Sequence, residues 1–203
     1  MKLVFIGKPG SGKGTQAKII SKELNLAHIS TGDLVRNVKG ELEELIHSYI
    51  DKGNFVPDDL MIRMLKERIQ EEDCKNGFIL DGFPRTLVQA RELEKEIKID
   101  NFVNIYISDE EAVNRMSGRK TCRECGELYN FNTNYVPKNE KECDKCGGEL
   151  YEREDQKEEI IGKRIQVHHA EVEPIINKYN PIKVDGTKSI EEVTEDILDI
   201  LKT

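Results

Sequence analysis

A glycine-rich run, Gly7-Lys8-Pro9-Gly10-Ser11-Gly12-Lys13-Gly14-Thr15, follows the apolar stretch Leu3–Ile6 and fits the spacing Gly-x-x-x-x-Gly-Lys. Glycines 10, 12 and 14 let successive backbone N–H groups turn inward, which a Cβ would hinder. Those donors, with the positive end of a following helix, make a cradle for polyphosphate. Lys13 would reach the β- and γ-phosphates, and Thr15 is the hydroxyl nearest a magnesium position. Gly14 stands where a Ser or Thr usually follows the lysine, so that hydroxyl is displaced by one residue.

Four cysteines offer a second chemistry. Cys122-x-x-Cys125 and Cys143-x-x-Cys146 are separated by seventeen residues and sit in similar surroundings, CRECGELY and CDKCGGELY. Gly126 and Gly147 permit the tight turn that aims backbone N–H groups at thiolate sulfur. Two such knuckles supply four sulfur ligands in a tetrahedron, the preference of structural zinc. Four ligands leave no open position, so the metal performs no chemistry. Iron fits the same donors by softness, and two disulfides are disfavoured by the spacing and by a reducing compartment. Cys74 has no partner in this pattern, and the histidines read as structural.

Acids and arginines complete the set. Asp81 ends the buried run Phe78–Leu80, where it would hold magnesium directly or through water. Asp33, beside Thr31 at a helix start, is a second candidate for the metal's water shell. Arg36, Arg85, Arg115, Arg119, Arg153 and Arg164 lie near strand ends or at the edges of the cysteine segment. Each offers a planar, permanently charged fork for phosphate oxygens. Phosphoryl transfer gives side chains little covalent chemistry, so positioning and charge neutralisation are what such forks would supply. Arg63, Arg68, Arg91 and Arg123 read as solvated surface.

These groups need a frame. The chain has 203 residues, 37% apolar and 34% charged, with a formal charge of −8. That balance fits a soluble globular protein and argues against broad nucleic-acid binding, which needs a basic footprint. No apolar run approaches the ~18–20 residues of a membrane span, and the opening MKLVFIGKPG reads as a core strand, so a cytoplasmic protein is expected. Hydrophobic periodicity predicts strands at Lys2–Gly7, His28–Ile29, Gly77–Asp81, Asn101–Ile107 and Ile182–Val184. It predicts helices at Lys13–Leu24, Leu34–Gly53, Leu60–Gln70, Thr86–Glu96, Asp109 to about Arg119, Lys157–Tyr179 and Ile190–Leu201. Within Leu34–Gly53 the inner face would carry Leu42, Leu45, Ile46, Tyr49 and Ile50. Alternating strands and helices imply an α/β fold, an open and mostly parallel sheet with helices on both faces. Thr121–Tyr151 interrupts that alternation and reads as an inserted module.

The combination GKPGSGKGT, STGDLVR, LDGFPRT and the four-cysteine insertion resembles the adenylate kinase family, in its form with a zinc-bearing lid. The resemblance spans essentially the whole chain and accounts for the displaced hydroxyl of Thr15. It implies a phosphate-loop NTPase fold with a core of residues 1–29, 57–117 and 157–203, a monophosphate-binding segment 30–56 and a lid 118–156. It implies reversible transfer from Mg·ATP to AMP giving two ADP, in a monomer without nucleic-acid or membrane partners. The implied ATP site is Gly10, Ser11, Gly12, Lys13, Gly14, Thr15 and Arg119, with Lys188 offering its backbone to adenine and Tyr129 near the base or ribose. The implied AMP site is Thr31, Arg36, Asn54, Phe55, Val56, Gly82, Phe83, Pro84, Arg85 and Gln89. Arg115, Arg153 and Arg164 would close on the phosphates from the lid side. Lys13, Arg85, Arg119, Arg153 and Arg164 are the catalytic set.

Gln89 favours AMP, because a glutamine amide can both donate to and accept from an adenine edge. Three features depart from the family. The segment Lys39–Ser48 is about three residues short, the lid hinge reads Arg153-Glu154-Asp155-Gln156 where a second acid is usual, and the cysteine loop is one residue longer than in some members. Two rival readings are a kinase for UMP or CMP and a zinc-ribbon nucleic-acid-binding ATPase.

Overall fold

In a computed structural model that describes residues 1–202, five parallel strands form the central sheet in the order β2-β3-β1-β4-β8. These are β1 (Lys2–Ile6), β2 (Ala27–Ser30), β3 (Phe78–Asp81), β4 (Asn101–Tyr106) and β8 (Ile182–Asp185). Side-chain alternation along β1 builds two cores at once. Leu3 and Phe5 face Ala17 and Ile20 of α1 (Lys13–Glu23) and Val193 and Ile197 of α9 (Ile190–Lys202). Val4 and Ile6 face the other way, onto Leu60, Met61 and Leu65 of α4 (Asp58–Arg68) and Leu93 of α5 (Leu87–Glu96). Both faces of the sheet are therefore covered, as parallel strands require.

The remaining elements place the site. The glycine loop leaves the carboxyl end of β1, Thr31 opens α2 (Thr31–Arg36) directly after β2, and Asp81 closes β3. In register, Ser30 lies opposite Asp81 and Phe5 opposite Asp81 on the other side. The loop, the threonine and the acid thus share one rim of the sheet. After β4, Ser108 caps α6 (Asp109–Ser117) by accepting from the Glu111 N–H. A separate three-stranded antiparallel sheet is built from β5 (Arg119–Cys122), β6 (Leu128–Asn130) and β7 (Leu150–Tyr151). It carries the cysteines.

Two helices expected as continuous are interrupted. Leu34–Gly53 divides into α2 and α3 (Glu43–Ile50), because Gly40 takes φ of 86° in the left-handed region and breaks the intervening chain. Of the expected inner face, Ile46 is fully buried and Leu45 is exposed. Lys157–Tyr179 becomes α7 (Glu158–Val167), a π-turn at His168–Val172, and α8 (Glu173–Tyr179). Pro174, at the start of α8, has no N–H to continue the α-helical ladder, and the widened turn accommodates that loss.

Candidate active site and lid metal centre

The glycine loop is shaped for an anion before any ligand is considered. Gly10 and Gly12 have φ of 82° and 90°, and Gly12 is the N-cap of α1 with no side-chain cap. The first N–H groups of an eleven-residue helix are left to an incoming acceptor. Gly14 is needed for space: a Cβ there would lie 3.0 Å from Asp81 Oδ2. Ser11 is buried and its hydroxyl has no partner. Lys13 Nζ donates to the Lys8 carbonyl at 3.1 Å. Burial lowers the Lys13 ammonium to about 8; Asp81 opposes that fall, while Arg85, Arg164 and Arg119 deepen it.

Asp81 is buried and stays ionised. Burial opposes its charge, but His28, whose Nε2 lies 3.5 Å from Asp81 Oδ2, and Lys13 hold the carboxyl below its ordinary range. His28 belongs to the site although its spacing gave no hint of it. Its place two residues before the strand end brings it beside the acid one strand over.

Around these groups the structure gathers arginines from five separate segments. Arg85, Arg119, Arg153 and Arg164 are each lowered by burial and by neighbouring arginines, Arg36 among those neighbours, and Arg85, Arg164 and Arg119 lower Lys13 in turn. Burial, then Asp155 in opposition and Arg153 in repulsion, brings Arg164 to about 10. Asp155 partly neutralises the ring. Its Oδ2 accepts from Arg164 at 2.7 Å and from Arg153, and despite burial Arg164, Arg153 and Arg119 hold it ionised. Arg119 Nε and Nη2 are buried without any partner. Such donors are costly unless an anion receives them. Gln156, at the position of the missing second acid, donates its amide to the Arg119 carbonyl and so ties the hinge to the lid.

A cavity lined by Pro9, Lys13, Arg36, Phe55, Arg85 and Arg164 runs from this ring toward the 30–56 segment. Asn54 and Pro84 also line it. Thr31 Oγ1 donates to the carbonyls of Asp81 and Gly82 at 3.1 and 2.9 Å, which fixes the turn carrying Arg85. Gly82 has φ of 79°, and a Cβ there would lie 2.8 Å from the Arg85 guanidinium.

Several expected contacts take a different form. Tyr129 is 4% exposed inside the lid, its hydroxyl 3.5 Å from Cys143 Sγ and accepting from the Asp144 N–H at 2.9 Å. Gln89 has its amide engaged, accepting from the Arg85 N–H at 2.8 Å and donating to Asp58 at 2.8 Å, so it braces the Arg85 loop. Arg115 pairs with Glu111 at 2.5 Å, one helical turn away on α6. Asp33 is an exposed partner of Arg36 at 2.6 Å. Phe83 and Val56 are buried in the apolar core. The Lys188 side chain pairs with Asp196 at 2.6 Å, a contact separate from the backbone role expected of that residue.

In the lid, Cys122 and Cys146 sulfurs lie 3.4 Å apart and those of Cys125 and Cys143 3.6 Å apart. All four ligand atoms fall within 4.8 Å of one another. A tetrahedron with metal–sulfur bonds of about 2.3 Å has edges of about 3.8 Å, so the donors fit zinc with little movement. Burial would raise the Cys143 thiol, but the Tyr129 hydroxyl and the N–H groups of Lys145 and Cys146 bring it down to about 6. The lid touches the core through Glu127, which accepts from Lys18 of α1 at 2.9 Å and also pairs with Lys145.

Among the described residues no helix is long and apolar enough to cross a membrane. A family model described as adenylate kinase matches residues 5–184. A curated relative from Caldicellulosiruptor bescii, named adenylate kinase, is 46% identical, with 99% of each chain covered. One of the same name from Archaeoglobus fulgidus is 47% identical, covering 100% of this chain and 98% of its own. A third, from Thermosipho africanus, is 42% identical over the full length of both.

Proposed function

This chain belongs to the adenylate kinase family, and on that premise we propose that its ring of cations carries the reversible transfer of the γ-phosphoryl of Mg·ATP to AMP, giving two ADP. The observation that carries the assignment of residues is the convergence of Lys13, Arg36, Arg85 and Arg164 on one cavity, with Arg119 and Arg153 close enough to repel Arg164 or one another. Few other tasks than holding polyphosphate offset the cost of so many buried positive groups.

The loop N–H groups of Gly10, Ser11, Gly12 and Gly14, with Lys13, grip the donor's β- and γ-phosphates. Arg36 and Arg85 hold the acceptor's phosphate from the opposite side. Arg119, Arg153 and Arg164 stand between, where charge on the moving group is greatest. Asp155 orients two of these forks, Arg153 and Arg164. Asp81 and Thr15 would hold magnesium, which arrives with ATP and neutralises its phosphate charge. No side chain forms a bond to phosphorus, because both substrates lie in line.

Residues 30–56 and 118–156 are the moving parts, closing over a core of 1–29, 57–117 and 157–203. Closure excludes water, which would otherwise take the phosphoryl group. Zinc held by Cys122, Cys125, Cys143 and Cys146 is structural and keeps the lid folded. The protein works as a cytoplasmic monomer. A coupled assay offering AMP, UMP, CMP and GMP side by side tests the reading: ADP formation with AMP should lead by orders of magnitude. Equal or greater turnover with another acceptor would contradict it.

A further inference from the structure

Beside the cysteine lid, one more cluster among the described residues brings metal-ligating atoms together, at the wall of the phosphate cavity that His168 also lines. His168 and His169 lie in the π-turn and Glu173 opens α8, and their ligand atoms fall within 4.8 Å of one another. His169 is held at both nitrogens. Its Nδ1 is 2.6 Å from Glu173 Oε1 and its Nε2 is 2.9 Å from Asp109 Oδ2, at the start of α6. Asp109 is pinned in turn by Lys8 at 2.5 Å. An ion-pair staple between helices would explain that much.

It would not explain His168. This imidazole is 4% exposed, and both ring nitrogens are buried with no hydrogen-bond partner. A buried polar atom that nothing receives is costly to keep. Its ring centroid is 6.0 Å from that of His169, nearly perpendicular. The widened turn is what allows adjacent histidines to serve one point, since successive positions of an α-helix diverge by about 100°.

We propose that His168, His169 and Glu173 form a second metal site, for a borderline divalent transition ion such as zinc, cobalt or nickel. Two imidazoles and one carboxylate are the donor set that selects such ions over magnesium or calcium. The ion takes the place of the proton shared by His169 Nδ1 and Glu173. Asp109 then receives the N–H at the far side of the ring and fixes its tautomer, the outer hydrogen bond that metal-bound histidines commonly make. Metal–nitrogen bonds of about 2.0 Å bring ligand atoms to about 3.3 Å. The Glu173 side chain is 46% exposed and the His169 side chain 37%, so both are free to make that adjustment, and solvent supplies the entry path. Lys13 and Lys8 are the lysines that bear on His168; Asp109 takes up the charge of Lys8, and Asp81 offsets that of Lys13.

The test is a titration of the full-length protein, already loaded with zinc in the lid, with cobalt(II), followed by calorimetry and visible absorption. One further cobalt per chain should bind, with the weak bands of a nitrogen–oxygen site and without sulfur-to-metal charge transfer. His168→Phe and Glu173→Gln should abolish it, and Asp109→Asn should weaken it about 10–100-fold. Glu173→Gln should leave phosphoryl transfer unchanged. The proposal is overturned if no saturable binding occurs, if cobalt enters only with thiolate charge transfer, or if Glu173→Gln keeps the wild-type affinity.

Discussion

The sheet and the lid hold their shape by different means. In the sheet, Leu3, Phe5, Ile79, Val103 and Ile105 are wholly buried and packed against two helices on one face alone. In the lid, the buried apolar cluster is Cys122, Tyr129, Cys143 and Leu150 with Phe131 beside it, and two of its members are the cysteines themselves. A core of that size cannot offset the conformational entropy of a segment of about forty residues. With zinc on its four cysteines, the lid would depend on that metal for its fold, and the body of the protein would not. The lid meets the core through polar contacts, Asn130 donating to the Arg115 carbonyl, Asn132 to the Asn114 carbonyl and Lys18 to Glu127.

Chelation of the lid metal tests the difference most severely. Zinc contributes on the order of 10 kcal/mol to the folding of such a module. Its removal should abolish hydrogen-exchange protection in residues 118–156 while β1, β3 and β4 stay protected. Equal loss in both regions would mean that the two are one cooperative unit. Conversely, Ile20→Ala, at a fully buried position against β1, should cost about 2–5 kcal/mol in denaturant unfolding and leave lid metal affinity alone. A matching fall in metal affinity would contradict the separation.

The smallest effect concerns the seam. Glu127 joins the lid to Lys18 of α1, whose side chain is 42% exposed. A double-mutant cycle of Glu127→Gln with Lys18→Met should give a coupling of up to about 1 kcal/mol, shrinking as salt is added. A salt-independent coupling would mean that the contact is more than an exposed ion pair.

How much of this was readable from residues alone follows the range of the signals. The glycine loop and the paired cysteines depend on spacings of two to five residues, and both appear in the structure with donors already converging. The alternation along β1 likewise reports local geometry. The arginine ring is a long-range object. Arg153 and Arg164 differ from Arg115 only in which segment folds against the rim, and Arg115 instead meets Glu111 one turn away. The contacts of Tyr129 are also long-range: its hydroxyl meets Cys143 and the Asp144 N–H, which no local spacing announces. Gly40 ended a helix that the apolar period would have carried through, since a single left-handed residue leaves no trace in periodicity.

The central claim is that one cavity grips the facing phosphates of two nucleotides through Lys13 and the arginine ring. Calorimetry with diadenosine pentaphosphate, which carries two adenosines on one phosphate chain, tests it most directly. Lys13 is held at about 8, chiefly by burial. An anion alongside raises it, so above pH 8 the free amine is largely neutral and the bound one charged. Binding at pH 8.5 should therefore be one to one and take up a proton, seen as a heat that varies with buffer ionisation enthalpy, and Lys13→Ala should remove that dependence. Failure to bind, or binding with the same proton uptake in Lys13→Ala, would contradict the account.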